Sequence, residues 1–451
     1  MSVQKFIAGF RKRSGGLVLS SMMLAKLIGF LIVVFAANFL TGAELGNYTY
    51  AFFVTSFILP FLGFGSYQSL VYFGSTLKKE KEKQALFNYA FKRGLGLSAL
   101  LSVILILFSG IFTHNLPEAH SILIILSIQL ITFTLVSFIR NYARLINRND
   151  IYGRSELIYN LILFFLVIAG IVIAKEIGYA MAMVLAPLIT GLIYFKKLKI
   201  GTFKAEKLLN LDTKKFWSYG IFVSLGAVAA QLLYVVDGLM IGNFLPIPAE
   251  ILEASSATGF LDDCAGIKSS MLANYVPNQI AIYRICSVIP LATFVLPLAI
   301  LTTDAVHITE QKGNTKFLKN YIKNIWRVLL PVGILIAAVL HYGSSYILSI
   351  FDLLSEKSKY AGNEELISVF ALGVIGAFLL RIPFGNLLSA VGKAKWNSYI
   401  SFGMLGLNIL LNYIFVREYG IIGAAWATTI LIWVSGLVSF LTFKFYLSSN
   451  N

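Results

Sequence analysis

Long uncharged apolar stretches constrain this chain more than any other feature. Ile122–Ile139 and Leu157–Ala174 each run 18 residues without a charged side chain. A stretch of that length and polarity crosses a hydrocarbon slab as a helix. Twelve such spans are legible, at roughly 16–40, 45–73, 88–113, 119–140, 155–174, 177–195, 216–244, 277–302, 322–343, 366–391, 397–416 and 420–443. Charged residues make up only 13% of the chain, about half the share of an ordinary soluble domain. The sequence therefore predicts an all-α, polytopic membrane protein. A membrane barrel is excluded, because its strands read as short alternating segments.

The net charge of +16 first suggests nucleic acid, but its distribution argues against it. With the N-terminus in the cytoplasm, the outer loops hold only Lys175, Lys268, Lys357, Lys359 and Arg417. The spans hold Lys26, Arg284 and Arg381. The rest of the 37 Lys and Arg fall on the cytoplasmic side. That bias orients the chain with both termini in the cytoplasm, and anionic lipid headgroups are the expected neighbours of the basic loops. Two cysteines, Cys264 in an outer loop and Cys286 in a span, are read as unpaired thiols. The N-terminal span is read as a retained helix, since no small-residue cleavage site follows it.

The chain reads as two copies of one unit. Phe57-Ile58-Leu59-Pro60 in span 2 matches Phe294-Val295-Leu296-Pro297 in span 8. Leu145–Asp150 after span 4 matches Ala390–Lys395 after span 10. Lys175-Glu176-Ile177-Gly178 between spans 5 and 6 is paired with Arg417-Glu418-Tyr419-Gly420 between spans 11 and 12. Six spans per copy is an even number, so the repeats are parallel. Transporters built this way bind substrate near the midplane and rock one half against the other. The predicted organisation is a six-helix bundle over 1–195, a basic cytoplasmic linker over 196–215, and a second six-helix bundle over 216–451. An outer-loop insert at about 245–276 has no counterpart in the first half. It is read as a cap, a partner contact or neutral decoration. Pro60 and Pro297 occupy matching places, so spans 2 and 8 are expected to bend alike.

Charges inside spans are costly and face protein or water. Four stand out: Lys26, Asp237, Arg284 and Arg381. Lys26 lies roughly 15 Å deep in span 1 at 1.5 Å per residue, beyond the reach of a snorkelling stem. It is read as a cation facing a cavity, or as the partner of a buried carbonyl or of Asp237. Arg381 precedes Pro383 in span 10. Its planar guanidinium suits phosphate; alternatively it satisfies carbonyls that the proline frees. Asp237 and Arg284 lie at similar depth in spans 7 and 8 and are read as an ion pair that fixes register. A coupling-ion or proton site is the alternative for Asp237. Gln231 and Tyr234 are candidate polar residues of a cavity wall. Enzyme motifs and metal-spaced Cys/His clusters are absent from the sequence, so neither catalysis, metal nor cofactor is expected. Three cations against one acid point to an anionic cargo.

Three segments carry a resemblance: Gly46-Asn47-Tyr48-Thr49-Tyr50, Tyr234-Val-Val-Asp237-Gly-Leu-Met-Ile-Gly242, and Gly420-Ile-Ile-Gly423-Ala-Ala-Trp-Ala-Thr428. With twelve spans in two sixes, they resemble bacterial polysaccharide-unit flippases, the O-antigen (Wzx-type) transporters of the multidrug/oligosaccharidyl-lipid/polysaccharide exporter superfamily. That resemblance implies a V-shaped pair of bundles and alternating access in the bacterial plasma membrane. The implied cargo is an undecaprenyl-diphosphate-linked glycan, with a polysaccharide polymerase and chain-length machinery as further partners. Lys26 and Arg381 would then hold the diphosphate. A cation-coupled multidrug exporter, the related lipid II flippase and an integral-membrane glycan polymerase are the rival readings. The 245–276 insert departs from the pattern.

Overall fold

A computed structural model describes residues 15–75, 77–146, 148–198, 212–232, 235–251, 262–298, 300–301, 308, 311, 313–353 and 358–449. Among the described residues every regular element is helical, and the protein is a multi-pass membrane protein. Eight helices among the described residues are long and apolar enough to cross a membrane. Two of these are folded in half. Asn149–Lys197 holds spans 5 and 6 and turns at Ala174 and Lys175. Ala394–Ser449 holds spans 11 and 12 and turns at Gly420. Span 1 is the apolar helix Gly15–Phe39. Span 7 is divided between Thr213–Leu232 and Val236–Phe244.

The chain forms two compact units, Met1–Val228 and Ala229–Asn451. The division falls inside the helix Thr213–Leu232, because the first part of that helix packs into unit 1. Phe216 is fully buried in an aromatic core with Phe87, Phe91, Phe138, Tyr142 and Tyr194. The middle of the linker, 199–211, lies outside the described residues. The segment 245–276 is only partly loop: a continuous helix runs Asp262–Ala292, so the insert lengthens span 8. Cys286 is buried there, its Sγ 3.8 Å from the Asn363 carbonyl; the side chain of Cys264 lies outside the described residues.

In unit 1, Thr41 and Glu44 form a reciprocal capping box that starts span 2 at Gly42. The helix Gly42–Ile58 then breaks at Leu59–Gly65, where Pro60 sits in the first turn of a tight segment. Gly63, Phe64 and Gly65 all adopt positive φ before a new helix begins at Ser66. Neighbours hold the break closely. The Gly63 N–H donates to Ser98 Oγ at 2.9 Å, and a Cβ on Gly65 would lie 2.2 Å from the Gly220 carbonyl oxygen. Only glycine meets both the conformation and the close approach. Span 8 is also irregular, at Thr293–Phe294, ahead of Pro297 rather than after it.

Backbone hydrogen bonds fix the relation of the repeats. Arg148 N–H bonds to the Ala143 carbonyl, and Lys393 N–H to the Leu388 carbonyl, both at 2.8 Å. The offset is 245 residues (393 − 148). Ile151 to Arg148 and Trp396 to Lys393 repeat it. So do the turns: Lys175 has φ 48° and ψ −128°, Gly420 φ 63° and ψ −142°. Gly178 crosses the Gly170 carbonyl as Gly423 crosses that of Phe415. The sequence match that paired Lys175 with Arg417 is therefore corrected by three residues, to Gly420. Similar side chains misled it; the strained turn conformation is what repeats.

Candidate functional site

The second unit gathers polar groups in two places. The first surrounds Asp237, in the first turn of Val236–Phe244 and 2% exposed. Tyr283 Oη donates to Asp237 Oδ2 at 2.6 Å, and Thr428 Oγ1 donates to the same oxygen. Asn412 Nδ2 donates to Oδ1 at 2.8 Å, and the Asn408 side chain joins the set. Spans 7, 8, 11 and 12 thus each supply a group. Asn408 and Asn412 lie one turn apart, so one face of span 11 carries both amides.

Arg284 is the expected partner of Asp237, but the groups seen to bond to this carboxylate among the described residues are Tyr283, Thr428, Asn412 and Asn408. Among the described residues, the hydrogen-bond partners of Asp237 are neutral, and the span-8 residue that reaches it is Tyr283. Successive helical residues diverge by about 100°, so Arg284, half-buried, points elsewhere. Depth along a helix was legible in the sequence; azimuth was not. The nest is built of hydroxyl and amide groups, and Asn412 Oδ1 is buried in it without a donor. A carboxylate with hydroxyl and amide oxygens suits a proton or a hard monovalent cation.

The second place surrounds Arg381. Residues Ala377–Arg381 form a π-helical turn, in which the Ile382 N–H bonds to the Ala377 carbonyl. Such bulges recur at functional sites. Pro383 has no N–H to offer the Leu379 carbonyl one turn back. Trp326 supplies the missing donor, its Nε1 lying 2.8 Å from that oxygen. The freed carbonyl thus has a donor of its own. Arg381 Nη1 donates to Asn397 Oδ1 at 3.3 Å and its Nη2 to Ser401 Oγ at 3.5 Å, both on span 11. Gly385 makes room: a Cβ there would lie 2.7 Å from Nη1. Gly436 of span 12 lets the bulge approach, since its Cβ would meet the Arg381 nitrogen at 2.9 Å.

Lys26 is exposed on span 1, between the exposed Leu24 and Leu27, while Ala25 and Ile28 are buried. It points out of unit 1's own packing. Tyr234 and the side chain of Gln231 lie outside the described residues. Pro60 and Pro297 are both buried, at the spans 2 and 8 already described. Sequence reasoning missed Asn408, Asn412, Thr428, Asn397, Ser401 and Trp326. Two amides four residues apart in an apolar span were the available signal for the Asp237 nest.

Comparison with known proteins follows this geometry. The family model for polysaccharide biosynthesis protein matches residues 12–271, and the MatE model matches residues 266–414. An uncharacterized membrane protein of Methanocaldococcus jannaschii is 22% identical over 448 residues, covering 92% of this chain and 81% of that one. Among solved structures, lipid II flippase MurJ in an inward closed conformation superposes with a TM-score of 0.72. It has 16% identity and covers 95% of this chain and 87% of that one. An inward-facing multidrug resistance MATE family transporter of the MOP superfamily gives 0.69, with 14% identity, covering 96% and 98%. These likenesses establish the exporter fold.

Proposed function

The chain belongs to the polysaccharide biosynthesis protein family, and from that membership we propose that it is a flippase for a lipid-linked oligosaccharide. The cargo is a glycan on an undecaprenyl diphosphate carrier, moved from the inner to the outer leaflet of the plasma membrane by alternating access. The observation that carries this reading is Arg381. A guanidinium deep in an apolar unit is costly, yet a π-turn, a dedicated tryptophan and two glycines hold it in place. Its fork matches phosphate oxygens. Lys26, exposed on span 1, is the first unit's candidate cation for an anionic cargo.

The Asp237 nest supplies the coupling site in this reading. It binds a proton or sodium ion whose passage biases the conformational cycle. The rival, an exporter of cationic drugs, needs a deep acid presented to cargo. Asp237 is instead enclosed by its own unit's donors.

Reconstitution into liposomes with a fluorescent undecaprenyl-diphosphate-linked sugar tests the proposal through the fraction of label reached by a membrane-impermeant quencher. The wild type is expected to exchange label between leaflets. Arg381→Gln should cut the rate at least tenfold, and Asp237→Asn should remove its dependence on sodium or pH. Wild-type exchange no faster than in protein-free liposomes would sink the flippase reading.

A further inference from the structure

The offset of 245 residues lets any side chain in span 4 or 5 be compared with its counterpart in the second unit. Arg140 of span 4 corresponds to Gly385, and Glu156 of span 5 to Ser401. Gly385 is the position whose absent side chain leaves room for the Arg381 guanidinium. In unit 1 that position carries an arginine of its own. Arg381 bonds to Ser401 in unit 2, and Arg140 bonds to Glu156 in unit 1. Each repeat therefore sets a guanidinium beside the same residue of span 5 or 11, delivered from adjacent turns of span 4 or 10.

The surroundings of Arg140 are specific. Its Nη1 lies 2.5 Å from Glu156 Oε2, and its side chain is 12% exposed against 37% for Glu156. Nη2 donates to the Ser155 carbonyl at 3.2 Å. The guanidinium lies over the Tyr159 ring, 5.3 Å from its centre. Its Nε, however, is buried with no acceptor. Buried donors are rarely left so. Glu156 engages one edge of the guanidinium, and Asn160 Nδ2 draws its other oxygen, at 3.4 Å. One turn further along span 4, the exposed Arg144 adds a second cation over Tyr152.

We propose that Arg140 is a second anion site, for a phosphate or diphosphate group, and that Glu156 is a built-in competitor occupying it in this state. A phosphate oxygen pair can take Nη1 and Nη2 end-on, where the carboxylate takes Nη1 alone. Moving Glu156 aside frees the site. In unit 2 the corresponding latch is missing by sequence, because Ser401 carries no charge. The two units thus differ in the charge of the residue that meets the guanidinium. Assigning the anion to the cargo's diphosphate rests on the flippase reading; the site itself does not.

The test uses the full chain in detergent micelles, titrated with inorganic pyrophosphate and followed by melting temperature and calorimetry. Glu156→Gln should melt below the wild type without anion, be rescued by pyrophosphate, and bind it about tenfold more tightly. Arg140→Gln combined with Glu156→Gln should lose that gain, while Arg381→Gln should leave it intact. Should Glu156→Gln aggregate, Glu156→Asp withdraws the carboxylate by one methylene and should show part of the gain. A parallel arm compares nanodiscs of phosphatidylcholine with and without phosphatidylglycerol. Rescue by phosphatidylglycerol alone supports the anion site and identifies a lipid headgroup as its source. If neither pyrophosphate nor phosphatidylglycerol rescues Glu156→Gln, the pair only ties span 4 to span 5 and the proposal is overturned. Loss of wild-type pyrophosphate binding in Arg381→Gln bears on the flippase reading alone.

Discussion

Replacing Gly385 by alanine isolates the placement of Arg381 from its charge. The added Cβ would stand 2.7 Å from Nη1. Non-bonded atoms rest at about 3.5 Å or more, so the guanidinium must retreat by roughly 0.8 Å. Its bonds to Asn397 and Ser401 are already long, at 3.3 and 3.5 Å, and a shift of that size takes them out of hydrogen-bond range. Two weak charge-assisted bonds are lost, about 1.5 kcal/mol each at the low end. Alanine returns about 0.5–1 kcal/mol in a helix interior, and the displaced guanidinium recovers part of the rest from water. Stability should therefore fall by no more than about 2 kcal/mol, while pyrophosphate binding loses its oriented fork and weakens about tenfold. Calorimetric titration of Gly385→Ala with pyrophosphate, beside its melting curve, reads both. Wild-type affinity in Gly385→Ala would refute the claim that Gly385, Asn397 and Ser401 aim the guanidinium.

Two further substitutions test the packing that supports these sites. Trp326→Phe keeps the ring but leaves the Leu379 carbonyl without its donor, which should cost about 1–3 kcal/mol in thermal or denaturant unfolding. Gly220→Val forces a branched side chain against the Phe64 carbonyl, 2.6 Å from the Cβ position. Unit 1 should lose about 1–3 kcal/mol, seen as a lower melting temperature, with pyrophosphate affinity at Arg381 unchanged.

The sequence revealed the features that local rules encode. Hydropathy marked the helices at Glu80–Phe112, Ala119–Leu145 and Thr315–Tyr342, because burial in lipid needs a continuous apolar run. Thr41 and Glu44, three residues apart, close a capping box, a local rule of the same kind that the reading of the spans did not use. Partners across helices were hidden. Asp237 and Arg284 sit at matching depth, yet the neighbour of Arg284 took the contact, since a one-residue step rotates a side chain to another face. The Trp326 bond to Leu379 joins residues 53 apart, and no local pattern signals it. The π-turn was equally hidden: Pro383 implied a freed carbonyl, but not which side chain would meet it.

The two repeats share backbone where strain must be reproduced, and differ where only a buried slot must be filled. The positive-φ turn survives as Lys175 and Gly420 although one is lysine and the other glycine. Lys175 pairs with Glu44 at 2.5 Å, an anchor the glycine turn does not offer. By the same 245-residue relation, Asn408, Asn412 and Thr428 correspond to Leu163, Val167 and Met183. Leu163 and Val167 are buried apolar residues, so unit 1 has no counterpart of the span 11 and 12 donors around Asp237. The two units thus share one scaffold and differ in the side chains it carries. Unit 2 carries the acid nest and an arginine beside a neutral serine; unit 1 carries an arginine beside an acid. The acid nest is thus confined to unit 2, whereas each unit sets an arginine beside the same residue of span 5 or 11.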